Sequence, residues 1–171
     1  MRHSILWFAV TSALASCAAF AADLPNPKLT PGLADLALTK EALCAPYFST
    51  KSIRRHGSRA STDAIYNAYG VGRDESPCPC EIDHLIPLEI GGSNDVRNLW
   101  PQPDSGILWN SKRKDELETQ LHTEVCSSVI DLRTAQQEIA KDWIAAYVKR
   151  FGVPNATANR SRYRARKTAS P

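Results

Sequence analysis

Apolar residues recur with helical spacing in two long stretches of the second half of the chain. Between Asn110 and Val125, Leu117, Leu121 and Val125 stand at i, i+4 and i+8, the period of one buried helix face. Between Asp131 and Arg150 the stripe is Leu132, Ala135, Ile139, Trp143 and Tyr147, and Gly152 stops it. Two shorter helices are expected upstream. One runs from Thr39 to Cys44 with Thr39 as its cap. The other runs from Ser61 to Tyr69 and ends at Gly70, with Ile65 and Tyr69 on one side. Cys80 to Ile90 is dense in Ile and Leu and interrupted by Pro87, which predicts a broken strand ended by Gly91-Gly92. Asn98 to Trp100 is a short apolar piece before Pro101 and Pro103. Asp23 to Gly32 holds Pro25, Pro27 and Pro31 and predicts an extended linker. There is no internal repeat. Few short strands among helices in 171 residues predict one α+β domain with a real core.

The N-terminus is patterned as an address. Arg2 and His3 precede an apolar run from Ser4 to Ala15, and Ala19-Phe20-Ala21 forms a small-x-small cleavage site. Residues 1–21 therefore read as a signal peptide, and the run is too short for a mature membrane span. Leu14-Ala15-Ser16-Cys17 offers a second export reading, a lipoprotein box in which Cys17 is lipidated. Both readings send the protein out of the cytoplasm, to the periplasm or the medium. Export changes the meaning of the remaining cysteines, Cys44, Cys78, Cys80 and Cys126. In an oxidising compartment four cysteines suggest disulfides. The simplest arrangement pairs Cys44 with Cys126 and leaves Cys78 and Cys80 as a small strained loop or as free thiols. A structural zinc held by all four is the rival, disfavoured by a C-x-C spacing where zinc knuckles use C-x2-C.

Composition adds little: 43% hydrophobic and 23% charged residues exclude a wholly disordered, collagenous or coiled-coil chain. The net charge of +3 does not by itself argue for nucleic acid, but its distribution is uneven. From Asn155 onward the chain carries Arg160, Arg162, Arg164, Arg166 and Lys167 and no acid. This segment is expected to be disordered, and the body is left slightly acidic. A second basic run holds Lys51, Arg54, Arg55, His56 and Arg59. The expected layout is a signal at 1–21, a linker and short helix at 22–43, a folded domain at 44–152 and a basic tail at 153–171.

Chemistry concentrates in Asp83-His84-Leu85-Ile86-Pro87-Leu88-Glu89-Ile90-Gly91-Gly92. It continues through Asn98-Leu99-Trp100-Pro101-Gln102, Trp109-Asn110 and Lys114-Asp115, to Glu118. Neighbours on a regular strand point to opposite faces, so Asp83 and His84 can serve one site only if the strand ends or bends near His84. Such a set suits phosphodiester hydrolysis. A neutral imidazole is a base matched to neutral pH. A carboxylate and an amide oxygen are hard donors for Mg2+ or Mn2+.

In these residues the chain resembles the HNH endonucleases of the ββα-metal fold, and more narrowly the exported bacterial HNH proteins. The pieces that carry the resemblance run from Leu43-Cys44 through Asp83 to Gly92, Asn98 to Pro101, Trp109-Asn110 and Lys114 to Glu118, closing with Leu121 to Cys126. By that resemblance His84 is the general base, and Asn98 holds the loop between the strands and orients the base. Asp83 and Asn110 hold the divalent metal, with Asn110 replacing the histidine of the usual third position. Glu89 and Lys114 stand around them, and His122 is the substitute ligand if the register of Asn110 is shifted.

The resemblance implies metal-dependent cleavage of DNA, and of RNA as a further substrate, with little sequence specificity, since no base-reading module is visible. Any inhibitor or immunity partner is invisible from this one chain. Blander readings stand beside these. Asp83 and His84 can be a structural pair, Asn110 a helix cap, and Lys114, Asp115 and Glu118 a solvated face with ion pairs. Trp100, Trp109 and Trp143 are expected in the core. The alternative function is a non-catalytic, extracytoplasmic DNA-binding protein that keeps the same fold.

Overall fold

The computed structural model describes residues 23–72, 80–104, 106 and 108–155. The expected signal with Cys17, the cysteine at Cys78 and the basic tail from Arg160 to Lys167 lie outside the described residues. The described chain is mixed helix and strand, with a two-stranded antiparallel sheet. In order it forms α1 (Lys40–Leu43), α2 (Arg59–Ala68), β1 (Cys80–His84), β2 (Leu99–Pro103), α3 (Ser111–Cys126) and α4 (Leu132–Phe151). Short 3-10 turns at Thr50–Ser52, Leu88–Ile90 and Val96–Asn98 join them. No helix among the described residues is long and apolar enough to cross a membrane.

The helices start where their caps dictate. Thr39, Asn110 and Asp131 cap α1, α3 and α4, each accepting a first-turn backbone N–H. Helix α2 begins two residues earlier than its apolar pattern suggests, because Ser58 accepts from Ser61 N–H at 3.1 Å. Leu117, Leu121 and Val125 of α3 meet Ala135, Ile139 and Trp143 of α4 in the core, beneath Trp100 of β2. Helix α4 carries a break that the stripe does not announce. Asp142 is extended, and its Oδ1 accepts from Ala145 N–H at 2.9 Å, capping the second half. The disulfide Cys44–Cys126 ties the end of α1 to the end of α3, with Cα atoms 5.4 Å apart. Trp143 and Trp109 stack edge to face at 5.8 Å, the expected core role.

Two segments differ from their sequence patterns. The strand expected over Cys80 to Ile90 stops at His84. The buried Asn98 side chain takes over the next backbone pair: its Oδ1 accepts from Ile86 N–H and its Nδ2 donates to the Ile86 carbonyl, both at 2.9 Å. Pro87 then opens the turn Leu88–Ile90, and Gly91 sits at φ +77°. A Cβ on Gly92 would lie 1.7 Å from the Ile86 carbonyl oxygen, so only glycine fits this return of the chain. The proline-spaced segment Asp23 to Gly32 is packed against the domain rather than spaced from it. Trp143 Nε1 donates to the Asp23 carbonyl at 2.8 Å, and Thr30 Oγ1 to that of Leu99 at 2.8 Å. Its prolines restrict the backbone, and the domain supplies partners for its remaining polar groups.

Candidate functional site

β1 and β2 pair with Asp83 opposite Trp100 and His84 opposite Leu99. Adjacent strand residues take opposite faces, and the contacts follow. Asp83 meets α3, and His84 meets the loop around Asn94 and the segment after Ser52. The strand ends at His84, the condition the sequence required for both to serve one place.

On the α3 side the central group is Lys114, whose side chain is 0% exposed. Its Nζ lies 2.6 Å from Asp83 Oδ2, as an ion pair without hydrogen-bond alignment. It also donates to Glu118 Oε1 and, at 2.7 Å, to the His84 carbonyl. Burial opposes the ammonium charge, yet Asp83 and Glu118 outweigh it and hold Lys114 well above the ordinary lysine range. Burial likewise raises the Glu118 carboxyl, against the pull of Lys114. The contact geometry is that of an ion pair. Lys114 belongs to the buried stripe of α3 four residues before Glu118. Charge in the sequence suggested a solvated face as one reading; burial shows an internal counter-ion.

Asp83 Oδ1 accepts no hydrogen bond among the described residues. Around it stand more acids. Burial and the charges of Asp83, Asp115 and Asp104 raise the Glu81 carboxyl. Burial, Asp83 and Glu89 raise that of Asp115. Ser111 Oγ donates to Asp104 Oδ1 at 2.8 Å at the start of α3. Carboxylates that raise one another form a site of excess negative potential, with oxygen donors suited to a hard divalent cation. Asn110 stands at the same helix start as its cap. Its Oδ1 accepts from Arg113 N–H at 3.2 Å and its Nδ2 donates to the Gly106 carbonyl at 2.8 Å. It makes no hydrogen bond to Asp83.

On the other face His84 is buried, and burial lowers its pKa below the ordinary value, against the opposing effects of Asp83 and Asn94. The ring is therefore neutral at neutral pH. Its Nε2 lies 3.3 Å from Asn94 Oδ1. Asn94 also holds the basic segment: its Nδ2 donates to the Ile53 carbonyl and its Oδ1 accepts from Arg55 N–H, both at 2.9 Å. Lys51, Arg54, Arg55, His56 and Arg59 are exposed along this strap.

Asn98 does not reach His84. Its side chain is 0% exposed and fully engaged, accepting from Leu33 and Ile86 N–H and donating to the carbonyls of Ile86 and Ser93. It holds the loop between the strands, and the contact to the histidine belongs to Asn94. Nothing singled out Asn94 in the sequence except its place in the Gly-Gly to Asn-Leu loop. Gln102, the last residue of the Asn98 to Gln102 stretch, was given no role by the sequence. It is 1% exposed, opposite Glu81, and its amide has no partner among the described residues.

His122 lies at the far end of α3 from Asn110. Its Nε2 is 3.2 Å from the Leu43 carbonyl and 3.5 Å from Cys126 Sγ. Ligand atoms of Cys44, His122 and Cys126 fall within 4.8 Å of one another, but both sulfurs are joined in the disulfide. Cys80 is also disulfide-bonded. Comparison of the chain with family models, curated proteins and solved structures finds no match.

Proposed function

We propose that this protein is an exported, metal-dependent endonuclease of the HNH type, hydrolysing the phosphodiester bonds of DNA, and of RNA as a further substrate, with little sequence specificity. The observation that carries the reading is the placement of His84 and Asp83 next to one another at the end of β1. His84 is buried, neutral and hydrogen-bonded through one ring nitrogen. Asp83 is ion-paired with Lys114 through Oδ2, and its carboxylate accepts no hydrogen bond among the described residues. The order β1, β2, α3, with Asn98 fastening the loop between the strands, supports a ββα core of that kind.

In this reading His84 takes the proton of the attacking water. Lys114 holds the Asp83 carboxylate in place through their ion pair, and its bond to the His84 carbonyl keeps the two residues in register. Asp83 would hold the divalent cation, with Asn110, the cap of α3, as the second ligand. A bound Mg2+ or Mn2+ supplies charge neutralisation at the phosphate and the leaving oxygen. The exposed strap from Lys51 to Arg59 contributes backbone contacts without base readout.

The strap also favours a second reading, a DNA-binding module without catalysis. Incubation of the oxidised protein with supercoiled plasmid and Mg2+ or Mn2+, beside EDTA and His84→Ala controls, separates them. Cleavage lost with EDTA and in a folded His84→Ala variant supports the nuclease. A gel shift without cleavage under either metal supports the binding module. Neither cleavage nor shift overturns both.

A further inference from the structure

The amide of Asn94 is oriented by two backbone groups whose roles cannot be exchanged. The Ile53 carbonyl can only accept, and it lies 2.9 Å from Nδ2. The Arg55 N–H can only donate, and it lies 2.9 Å from Oδ1. Turning the amide over would set N–H against N–H and oxygen against oxygen. The atom facing His84 Nε2 at 3.3 Å is therefore an oxygen. An oxygen beside a ring nitrogen is favourable only if that nitrogen carries the proton. In a neutral imidazole the other nitrogen, Nδ1, then keeps its lone pair.

We propose that Asn94 is the positioning residue of the site. It holds His84 as the Nε2–H tautomer and so assigns the proton-accepting role to Nδ1. This rests on the reading of His84 as the base. The same amide carries the basic strap at Ile53 and Arg55, so the ring and the strap are fixed relative to one another by one side chain. Asn98, four residues on, makes no such contact, since its donors and acceptors all serve the loop backbone.

The test reads the ring directly. Long-range 15N–1H correlation spectra of the full chain are recorded at a pH where the imidazole is neutral, with His84 assigned from a His84→Gln spectrum. The wild-type ring is expected as a single Nε2–H tautomer. In Asn94→Ala the ring relaxes toward the tautomer mixture of a free imidazole. In the same variant kcat falls about tenfold while KM stays within about threefold. Asn94→Asp keeps the accepting oxygen and loses the bond to Ile53, so it retains the tautomer while loosening the strap.

An Nδ1–H ring in the wild type overturns the proposal. So does an Nε2–H ring whose signals are unmoved in Asn94→Ala, the result expected if Asn94 only ties the loops together. If Asn94→Ala fails to fold, the wild-type and Asn94→Asp spectra decide, because Nδ1–H in either overturns the assignment. A wild type that cuts nothing, yet shows the fixed tautomer and its loss in Asn94→Ala, supports the contact and overturns the nuclease reading instead.

Discussion

Replacing Lys114 with Met tests the electrostatics of the site most directly, because it keeps the buried aliphatic stem and deletes the ammonium. Two carboxylates then lose their cation. Asp83 is 22% exposed and Glu118 15%, so water shields the first somewhat better. Removing one partner of a buried ion pair costs about 3–5 kcal/mol, but Glu118 has an escape that sets an upper bound. It can take a proton, which near pH 7 costs a carboxyl ionising near 4.5 about 3.4 kcal/mol and near pH 5 less than about 1 kcal/mol. The lost bond to the His84 carbonyl adds about 1 kcal/mol. Lys114→Met is therefore expected to lose up to about 4 kcal/mol near pH 7 and about half of that or less near pH 5. The sign follows from linkage. Burial raises the folded pKa of Glu118 above its unfolded value even beside Lys114, and loss of the ammonium raises it further, so between the two the native state holds more protons. Stability then falls as pH rises and is greatest below the unfolded value. Urea unfolding followed by tryptophan fluorescence measures both points, and adding Glu118→Gln to Lys114→Met should recover most of the loss near pH 7. A deficit under about 1 kcal/mol, or one that grows toward acid, refutes the buried counter-ion.

Four other expectations follow from the same geometry. Burial lowers the His84 pKa, and a general base must be neutral, so the acid limb of the kcat/KM profile for plasmid cleavage should have its midpoint below about 6.5; a midpoint above that value contradicts a neutral buried ring. Asn98→Ala leaves the buried Ile86 backbone without its two side-chain partners and should cost about 3 kcal/mol or more in chemical denaturation; a loss within about 1 kcal/mol means the loop holds without it. Reducing Cys44–Cys126 opens a loop with a sequence separation of 82 and should remove up to about 4–5 kcal/mol in the chain-entropy account; melting with and without reductant checks it, and equal cleavage rates from reduced and oxidised protein would exclude a disulfide-dependent nuclease. Charge reversal at Arg54 and Arg55 should weaken DNA binding and flatten its dependence on salt, read by fluorescence anisotropy across a salt series; an unchanged slope removes the strap from the interface.

The long elements were legible because each obeys a single period. The stripes of α3 and α4 pack as their spacing dictates, and Thr39 and Asp131 start their helices as capping residues should. What the period could not carry was any place where a side chain competes with the backbone ladder. β1 ends at His84 because Asn98, distant in sequence, captures Ile86, and no local propensity encodes that. The break at Asp142 is similar: an aspartate inside an amphipathic stripe reads as an exposed helical residue, whereas its carboxylate accepts from Ala145 N–H and restarts the helix. The proline-rich segment was legible as lying outside the helices and strands, but not its turn at Asn26 to Thr30 or its packing, since its partners, Trp143 and Leu99, lie far along the chain.

The candidate site divides along the same line. A spacing pattern identifies which residue types the chemistry asks for, and in the fold Asp83 and His84 end β1, Asn98 precedes β2 and Asn110 caps α3. It cannot say which of two asparagines in one loop turns toward the histidine. Asn94 and Asn98 are four residues apart, both amides, both in the same connection. Their roles separate only through the groups that fill their valences: for Asn98 these are backbone groups of Leu33, Ile86 and Ser93, and for Asn94 those of Ile53 and Arg55, together with the ring of His84. Lys114 gives the complementary lesson. On a helical wheel it falls on the apolar stripe, where a lysine is anomalous, and a buried lysine persists only if carboxylates meet it. The two that do, Asp83 and Glu118, come from different elements. The spacing of Lys114, Asp115 and Glu118 also allowed a solvated face, and it is the burial of Lys114 between Asp83 and Glu118 that ties α3 to the strand carrying Asp83 and His84.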